Sequence, residues 1–203
     1  MSIGFIGGVL MLKTQQKIAT ATKELVVSVP FDAVSVTAIM KQAQLRRQTF
    51  YDFYRDKYDV LAWIYQTEVG AAATKCETFR YWTQTVDQLL HYFQDNQTFY
   101  QRIFALDTQN APETIIKAHF KTMIKQILAD LAQTKHFSVD NRYSQFLQTA
   151  LSTALYATIN DWLTDQDRLP LTEERQFICN YLQDGIDGLT ERQHPDSHSS
   201  VVR

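Results

Sequence analysis

Residues 35–61, SVTAIMKQAQLRRQTFYDFYRDKYDVL, decide how this chain is expected to fold. Ser35 stands one residue before an apolar pattern with helical spacing, which predicts a short helix with Ser35 as its N-cap. Gln44-Leu45-Arg46 interrupts that pattern. A second short helix is then predicted from Arg47 to Tyr54, so the stretch contains two short helices joined by a tight turn.

Longer helices are predicted on both sides of this stretch. Apolar residues recur every three or four positions over 14–29, which indicates a first helix with Thr14 as its cap. Asp56, with a second aspartate three residues later, predicts the capped start of a long helix over 57–78. Two short helices behind a first helix are typical of a helix-turn-helix head.

The spacing within the motif separates outward residues from buried ones. Arg47, Gln48, Thr49 and Tyr51 are expected to face outward at the start of the second short helix, the end that meets base edges in the major groove. The alternative is a structural three-helix knot with a solvated basic face. Packing against the first helix is expected from Val36, Ile39, Met40, Ala43, Leu45, Phe50 and Tyr54.

Charge is distributed unevenly along the chain. Residues 13–57 carry eight Lys and Arg against four Asp and Glu, a balance of +4, whereas residues 58–203 carry twelve against eighteen, a balance of −6. Local fluctuation is one reading of this asymmetry. The other is a basic head on an acidic body, which suits a protein that presents one end to a polyanion.

The remainder of the chain predicts helix after helix, with Thr172 capping the last one. Only six glycines and four prolines occur, and no strand alternation competes, so the expected fold is all-α with about nine helices. The predicted organisation is a poorly ordered N-terminal extension over 1–12, a helix-turn-helix DNA-binding domain over 13–57, a helical regulatory and dimerisation domain over 58–190, and a disordered tail over 191–203.

Several protein classes are excluded by what the sequence lacks. The apolar stretch from Ser2 to Leu12 is too short to span a bilayer and lacks the basic region and cleavage site of a secretory signal. A cytoplasmic protein with no membrane partner is therefore expected. Cys76 and Cys179 are expected to be free or buried thiols. No metal-ligand spacing and no nucleophile, phosphate-loop or dinucleotide motif occurs, so we expect no metal, no cofactor and no enzyme activity.

The quoted stretch resembles the head of the TetR family of transcriptional regulators. That family pattern has a Thr-bearing helix, an Ala-Gly turn, Thr-[Phe/Leu]-Tyr, an aromatic residue shortly after, and a Lys before the long fourth helix. Residues 46–51 more narrowly resemble the branch that contains activators of dihydroxyacetone kinase operons. The matching positions here are Val36-Thr37-Ala38-Ile39, Ala43-Gln44, Thr49-Phe50-Tyr51, Phe53-Tyr54 and Lys57.

The resemblance implies roles for individual head residues. Thr37 and Tyr51 would contact backbone phosphates, and Lys57 would lie against the same strand. An Arg that bridges guanine or a Gln that bridges adenine is worth about 1–3 kcal/mol of discrimination. The residues implied to read bases are Arg46, Arg47, Gln48 and Thr49.

Two positions depart from the family pattern. Gln44 replaces the turn glycine, so any left-handed backbone geometry must be borne by a residue with a side chain. Asp52 replaces a common aromatic residue. Its carboxylate either accepts from a cytosine amino group or caps a local backbone group.

The resemblance also implies a body that dimerises through its last two long helices and encloses a ligand pocket. Residues 139–163 and 172–189 are placed to form that interface, with intrachain packing as the alternative. The implied interface residues are Leu147, Leu151, Ala154, Leu155, Ile178 and Tyr181. The candidate pocket residues, for which plain core is the alternative, are Trp63, Trp82, Phe99, Tyr100, Phe104 and Phe120.

The function expected from the sequence is a homodimeric regulator that binds a near-palindromic operator. Its effector would be a small molecule or a partner protein that changes the spacing or mobility of the two heads. Repression and activation both remain open. The alternative is a helical protein-interaction module without sequence-specific DNA binding.

Overall fold

The computed structural model describes residues 3–73, 82–106, 112–136 and 138–193. Within these ranges there are eight α-helices, two 3-10 helices and no strand, so the all-α prediction is confirmed. The α-helices are α1 Ile3–Ser28, α2 Val36–Gln42, α3 Lys57–Ala73, α4 Trp82–Asp95, α5 Gln97–Phe104, α6 Glu113–Lys135, α7 Asn141–Thr164 and α8 Leu171–Gln193. The 3-10 helices are Phe31–Ala33 and Arg47–Asp52.

The chain divides into two compact units. The head unit consists of Met1–Ala71 with Asn96–Ile115, and the body unit consists of Ala72–Asp95 with Ile116–Arg203. The predicted boundaries of the DNA-binding domain (13–57) and of the regulatory domain (58–190) stay predictions. None of the described helices is long and apolar enough to cross a membrane.

In the head unit, α1 packs against α2 and α5. Ile18 and Val26 of α1 are completely buried, and Phe99 and Tyr100 of α5 are buried as well. The ammonium of Lys23 joins α1 to two other parts of the unit, because its Nζ lies 2.7 Å from Oε2 of Glu68 and 2.8 Å from Oδ1 of Asn96. The α5 helix thus belongs to the structural frame of the head.

The body unit is built on α4, α6, α7 and α8. Helix α4 packs against α7 and α8, and the Nε of Arg175 lies 2.6 Å from Oδ1 of Asp87 across the α4–α8 contact. A buried apolar cluster holds α6 to α8, with partly buried side chains of α7 packed on it. Its buried members are Ile124, Leu128, Leu131 and Leu189.

Two predicted helix caps are wrong. Helix α1 begins at Ile3 instead of 14, and Thr14 lies inside it, where its hydroxyl donates to the Leu10 carbonyl at 3.0 Å. Helix α8 begins at Leu171, and the Pro170 carbonyl accepts from the backbone N–H groups of Glu173 and Glu174. A threonine hydroxyl can also bond to a carbonyl within a helix, as that of Thr14 does, so the residue type alone does not locate a cap. The predicted tail beyond residue 193 and Cys76 lie outside the described residues.

Candidate nucleic-acid interface

The first short helix of the motif forms where the sequence predicts it. Helix α2 runs Val36–Gln42, and the Ser35 side chain accepts from the Ala38 backbone N–H at 3.1 Å, as expected of an N-cap. Thr37 lies in its first turn with its side chain exposed. The Gln42 side chain also donates to the Glu24 carboxylate at 2.7 Å, which ties the end of α2 to α1.

The turn after α2 has left-handed backbone geometry at Gln44, the position where the family pattern has glycine. Gln44 has φ 57°, and among the described residues only His136 shares a positive φ. The Gln44 N–H donates to the Lys41 carbonyl, and the Leu45 N–H donates to the Met40 carbonyl. These two bonds close the helix end and turn the chain toward the second short helix.

The second short helix is a 3-10 helix, Arg47–Asp52, and not an α-helix reaching Tyr54. Two aromatic side chains anchor it in the core of the head, because Phe50 is completely buried and Tyr54 is 5% exposed. Burial raises the pKa of the Tyr54 hydroxyl. Ile39 and Met40 of α2 are buried in the same small core, whereas Val36, Ala43 and Leu45 are half-buried.

The outward side of this 3-10 helix carries the residues predicted to contact DNA. Arg46, Arg47, Gln48 and Tyr51 are exposed, and Thr49 is half-buried. Within the described part of the chain, neither arginine forms a salt bridge. The Arg47 Nη2 donates to the Tyr51 hydroxyl at 3.2 Å, and its guanidinium lies 5.8 Å from the Tyr51 ring centroid. Asp52 is exposed beside them.

Lys57 is placed differently from the other predicted contacts. Its Nζ donates to the carbonyls of Phe31 at 2.7 Å and Val34 at 3.0 Å, and it lies 4.2 Å from the Phe31 ring centroid. Burial lowers the pKa of Lys57, and the Asp32 carboxylate opposes that shift. In the free chain this ammonium therefore fixes the start of α3 to the connection before α2.

The start of α3 carries a cap and an ion pair. The Asp56 carboxylate accepts from the backbone N–H groups of Tyr58 at 2.8 Å and Asp59 at 3.0 Å, so the predicted cap is confirmed. Arg55 donates from Nε and Nη2 to the Asp59 carboxylate, each at 2.8 Å, a bidentate pair that the sequence analysis missed. This hydrogen bonding is the main reason that the pKa of Asp59 is lowered.

A family model described as a transcriptional regulator C-terminal region of the TetR type matches residues 80–184, just over half of the chain. This chain belongs to the TetR family of transcriptional regulators. Residues 35–61, which contain the two short helices, lie outside that match.

Individual TetR-family proteins are similar to this chain. The HTH-type dhaKLM operon transcriptional activator DhaS of Lactococcus lactis subsp. lactis (strain IL1403) is 35% identical over 107 residues, which are 53% of this chain and 57% of that protein. The match thus spans little more than half of the length of that relative. The solved structure of the dihydroxyacetone kinase operon activator DhaS has a TM-score of 0.69 at 25% identity, covering 86% of this chain and 96% of that one.

Two further solved structures share the fold alone. A TetR-family transcriptional regulator from Streptomyces coelicolor has a TM-score of 0.59 at 12% identity, covering 93% of this chain and 91% of that chain. A TetR transcriptional regulator from Streptococcus agalactiae 2603V also has a TM-score of 0.59, at 17% identity, covering 88% of this chain and 98% of that chain.

The body of this TetR-family chain contains a cavity of about 350 Å³, lined by α4, α6, α7 and α8. We call it the body cavity. Two of the candidate pocket residues, Trp82 and Phe120, line it. The other four predicted pocket residues lie in the head unit instead, where they pack edge-on or tilted against one another and against Tyr54: Trp63, Phe99, Tyr100 and Phe104.

Of the six predicted interface residues of α7 and α8, all but Ala154 line the body cavity. Ile178 is buried, Ala154 is half-buried, and Tyr181 is 53% exposed. The half-buried residues that face the body cavity are Leu147, Leu151 and Leu155. Two apolar side chains that the sequence analysis did not select are more exposed than any of these, namely Phe146 at 63% and Phe177 at 57%. Phe177 and Tyr181 are four residues apart on α8, a spacing that predicts two aromatic side chains on the same face of the helix.

No metal site is evident among the described residues, where no three His, Cys, Asp or Glu side chains cluster. Cys179 is a half-buried free thiol. Burial raises its pKa, which disfavours the reactive thiolate.

Proposed function

We propose that this TetR-family chain is a sequence-specific regulator that binds double-stranded DNA through its second 3-10 helix. The observation that carries the proposal is that this helix has one buried and one exposed side. Phe50 and Tyr54 are buried in the core of the head, whereas Arg46, Arg47 and Tyr51 are exposed to solvent. Exposed arginines without carboxylate partners are available to phosphates and to guanine edges. Thr37, Gln48, Thr49 and Lys57 complete the proposed contact set.

The same proposal includes a homodimer that reads two half-sites about one helical turn apart. Phe146, Phe177 and Tyr181 form exposed apolar surface on α7 and α8, and burial against the same helices of a second copy would remove that surface from water. The proposed contact therefore consists of these exposed aromatic residues together with Ala154 of α7. The other predicted interface residues would pack inside each protomer and hold the contact helices in place: Leu147, Leu151, Leu155 and Ile178.

We further propose that an effector bound by the body changes how the two heads engage the operator. The similar Lactococcus lactis protein is a transcriptional activator of the dhaKLM operon. That favours activation over repression for this chain, and a reporter driven by the promoter next to its own operator would show the sign directly.

DNA selection from a randomised duplex pool, followed by fluorescence anisotropy at about 50 and 200 mM salt, tests the proposal. We expect one enriched near-palindrome and binding that weakens steeply with salt. Arg47→Ala should relax the preference at one base pair of each half-site, whereas Arg142→Ala, an exposed arginine of α7, should change nothing. Failure to enrich any sequence, with the protein folded, would support a protein-interaction module instead.

A further inference from the structure

The body cavity has an interior that offers no charge. Leu90, Phe120 and Ile159 line it and are at most 1% exposed. Protein interiors are normally packed without voids of this size. At about 350 Å³ the body cavity falls within the range of small-molecule sites, about 300–1,000 Å³.

Charged groups occur only at the outer edge of the lining. Asp184 and Arg192 are exposed, as is Tyr143, whereas the one buried polar lining residue is Thr85, an uncharged hydroxyl. A ligand that placed a charge inside would lose its hydration and find no countercharge there. The interior therefore selects for an uncharged, apolar molecular body.

Hydrogen-bond donors are concentrated at one point of this edge. Arg192, near the end of α8, donates from Nη2 to the Tyr143 hydroxyl at the start of α7 at 3.3 Å. A Cβ added at Gly188 would lie 3.6 Å from Nη1 of Arg192, an ordinary van der Waals distance, so the guanidinium lies back along α8 beside Gly188. The remaining guanidinium N–H groups can donate to an acceptor at the cavity mouth.

We propose that the body cavity binds an uncharged, largely apolar small molecule that carries one hydrogen-bond acceptor, with the apolar part against Phe120 and the acceptor at Arg192 and Tyr143. Medium-chain ketones, esters and alcohols have this chemistry. That such a molecule is the effector rests on the proposed function, whereas its binding does not. A small polyol, by contrast, would leave most of the cavity unfilled and its hydroxyls without partners.

Isothermal titration calorimetry with octan-2-one, octanoate and dihydroxyacetone tests the chemical class. We expect octan-2-one to bind once per chain and to raise the melting temperature by about 5 °C at saturation. Octanoate should bind about tenfold more weakly, because its carboxylate must give up hydration, and dihydroxyacetone should not bind. Tighter binding of octanoate or dihydroxyacetone, or no binding of octan-2-one, overturns the proposal.

A matched pair of variants on α6 tests the location. Ile127 lines the body cavity, whereas its neighbour Gln126 is exposed. Ile127→Trp should fill the cavity and abolish octan-2-one binding, and Gln126→Trp should leave it intact. Unchanged binding in a folded Ile127→Trp protein overturns the site.

Arg192→Met provides a test that leaves the core untouched, because Arg192 is exposed. It should weaken octan-2-one binding about fivefold, the value of one lost hydrogen bond, and unchanged affinity would overturn the assigned orientation.

The DNA assay separates this proposal from the proposed function. If the protein binds octan-2-one but no DNA, the ligand site is supported and the proposed regulator function is overturned. If it binds DNA but not octan-2-one, only the ligand site is overturned.

Discussion

Arg47 and Tyr51 form a pair across one turn of the second 3-10 helix, with the guanidinium Nη2 donating to the phenol oxygen at 3.2 Å. Since the hydroxyl oxygen accepts from Arg47, its own proton remains available to a DNA phosphate. The pair also holds the Arg47 side chain along the helix in the free chain. Tyr51 therefore orients Arg47 in addition to the phosphate contact proposed for its hydroxyl.

Tyr51→Phe should weaken binding to every DNA sequence about fivefold, because it removes one hydroxyl contact and the support of Arg47. The dependence of the logarithm of the binding constant on the logarithm of salt concentration should not change, since no charge is lost. Thr122→Val is the control, because it removes a hydroxyl from an exposed position of α6 that belongs to neither the proposed DNA contacts nor the proposed dimer contact. Anisotropy titrations at several salt concentrations measure both quantities, and a flattened salt dependence in Tyr51→Phe would contradict this account.

Lys57→Ala should destabilise the head as well as weaken DNA binding. Its ammonium donates to two backbone carbonyls, so its loss should lower the free energy of unfolding by about 1–2 kcal/mol in urea denaturation. The salt slope should fall by about 1 if the ammonium also meets a phosphate.

Lys41→Ala is the control for Lys57→Ala, because it removes the same charge from an exposed position in the last turn of α2. Its stability should stay within about 0.5 kcal/mol of the parent chain. Equal stability of the two variants would show that the carbonyl contacts of Lys57 contribute nothing.

Gln44→Gly should stabilise the head by about 1 kcal/mol, because φ 57° is strained for a residue with a Cβ and relaxed for glycine. Ala43→Gly is the control next to it. Ala43 has φ −70°, so glycine there adds only chain entropy and should destabilise by about 0.5–1 kcal/mol. Thermal unfolding of both variants gives the comparison, and the same sign in both would contradict the strain argument.

The features that the sequence predicted correctly are those set by neighbours along the chain. The Ser35 and Asp56 caps and the left-handed Gln44 each depend on groups within a few residues, and all three are confirmed. The misplaced features depend on packing partners. Phe99 is buried and Trp63 half-buried, and both pack in the head unit, whereas helical spacing alone does not indicate which unit supplies their packing partners.

Glu174→Gln should raise the melting temperature at pH 7 by about 2 °C. Burial raises the pKa of the Glu174 carboxyl, so the folded state favours the protonated form. That preference stabilises the fold below the ordinary carboxyl pKa and is lost as the pH rises through the raised value, which leaves a buried charge at neutral pH. The advantage of Glu174→Gln should therefore disappear near pH 4.

The exposed neighbour Glu173 is the control for the Glu174 prediction, because both residues lie in the first turn of α8. Glu173→Gln removes the same favourable interaction with the helix N-terminus without relieving any burial, so it should be neutral or slightly destabilising at pH 7. Differential scanning calorimetry between pH 4 and 7 measures both variants. A gain in melting temperature for Glu174→Gln that increases toward low pH would contradict a raised pKa of Glu174.

Phe146→Asp and Phe177→Asp should convert the proposed homodimer to monomers. Both phenyl rings are more than half exposed on α7 and α8, so an aspartate there is harmless to the protomer but would be buried without a partner in a two-helix contact. Val27→Asp is the control, because Val27 is an exposed apolar residue of α1 at 42%. Sedimentation velocity should show dimers for the parent chain and for Val27→Asp, and monomers with unchanged helicity for the two phenylalanine variants. Dimers that persist in both phenylalanine variants would place the interface elsewhere.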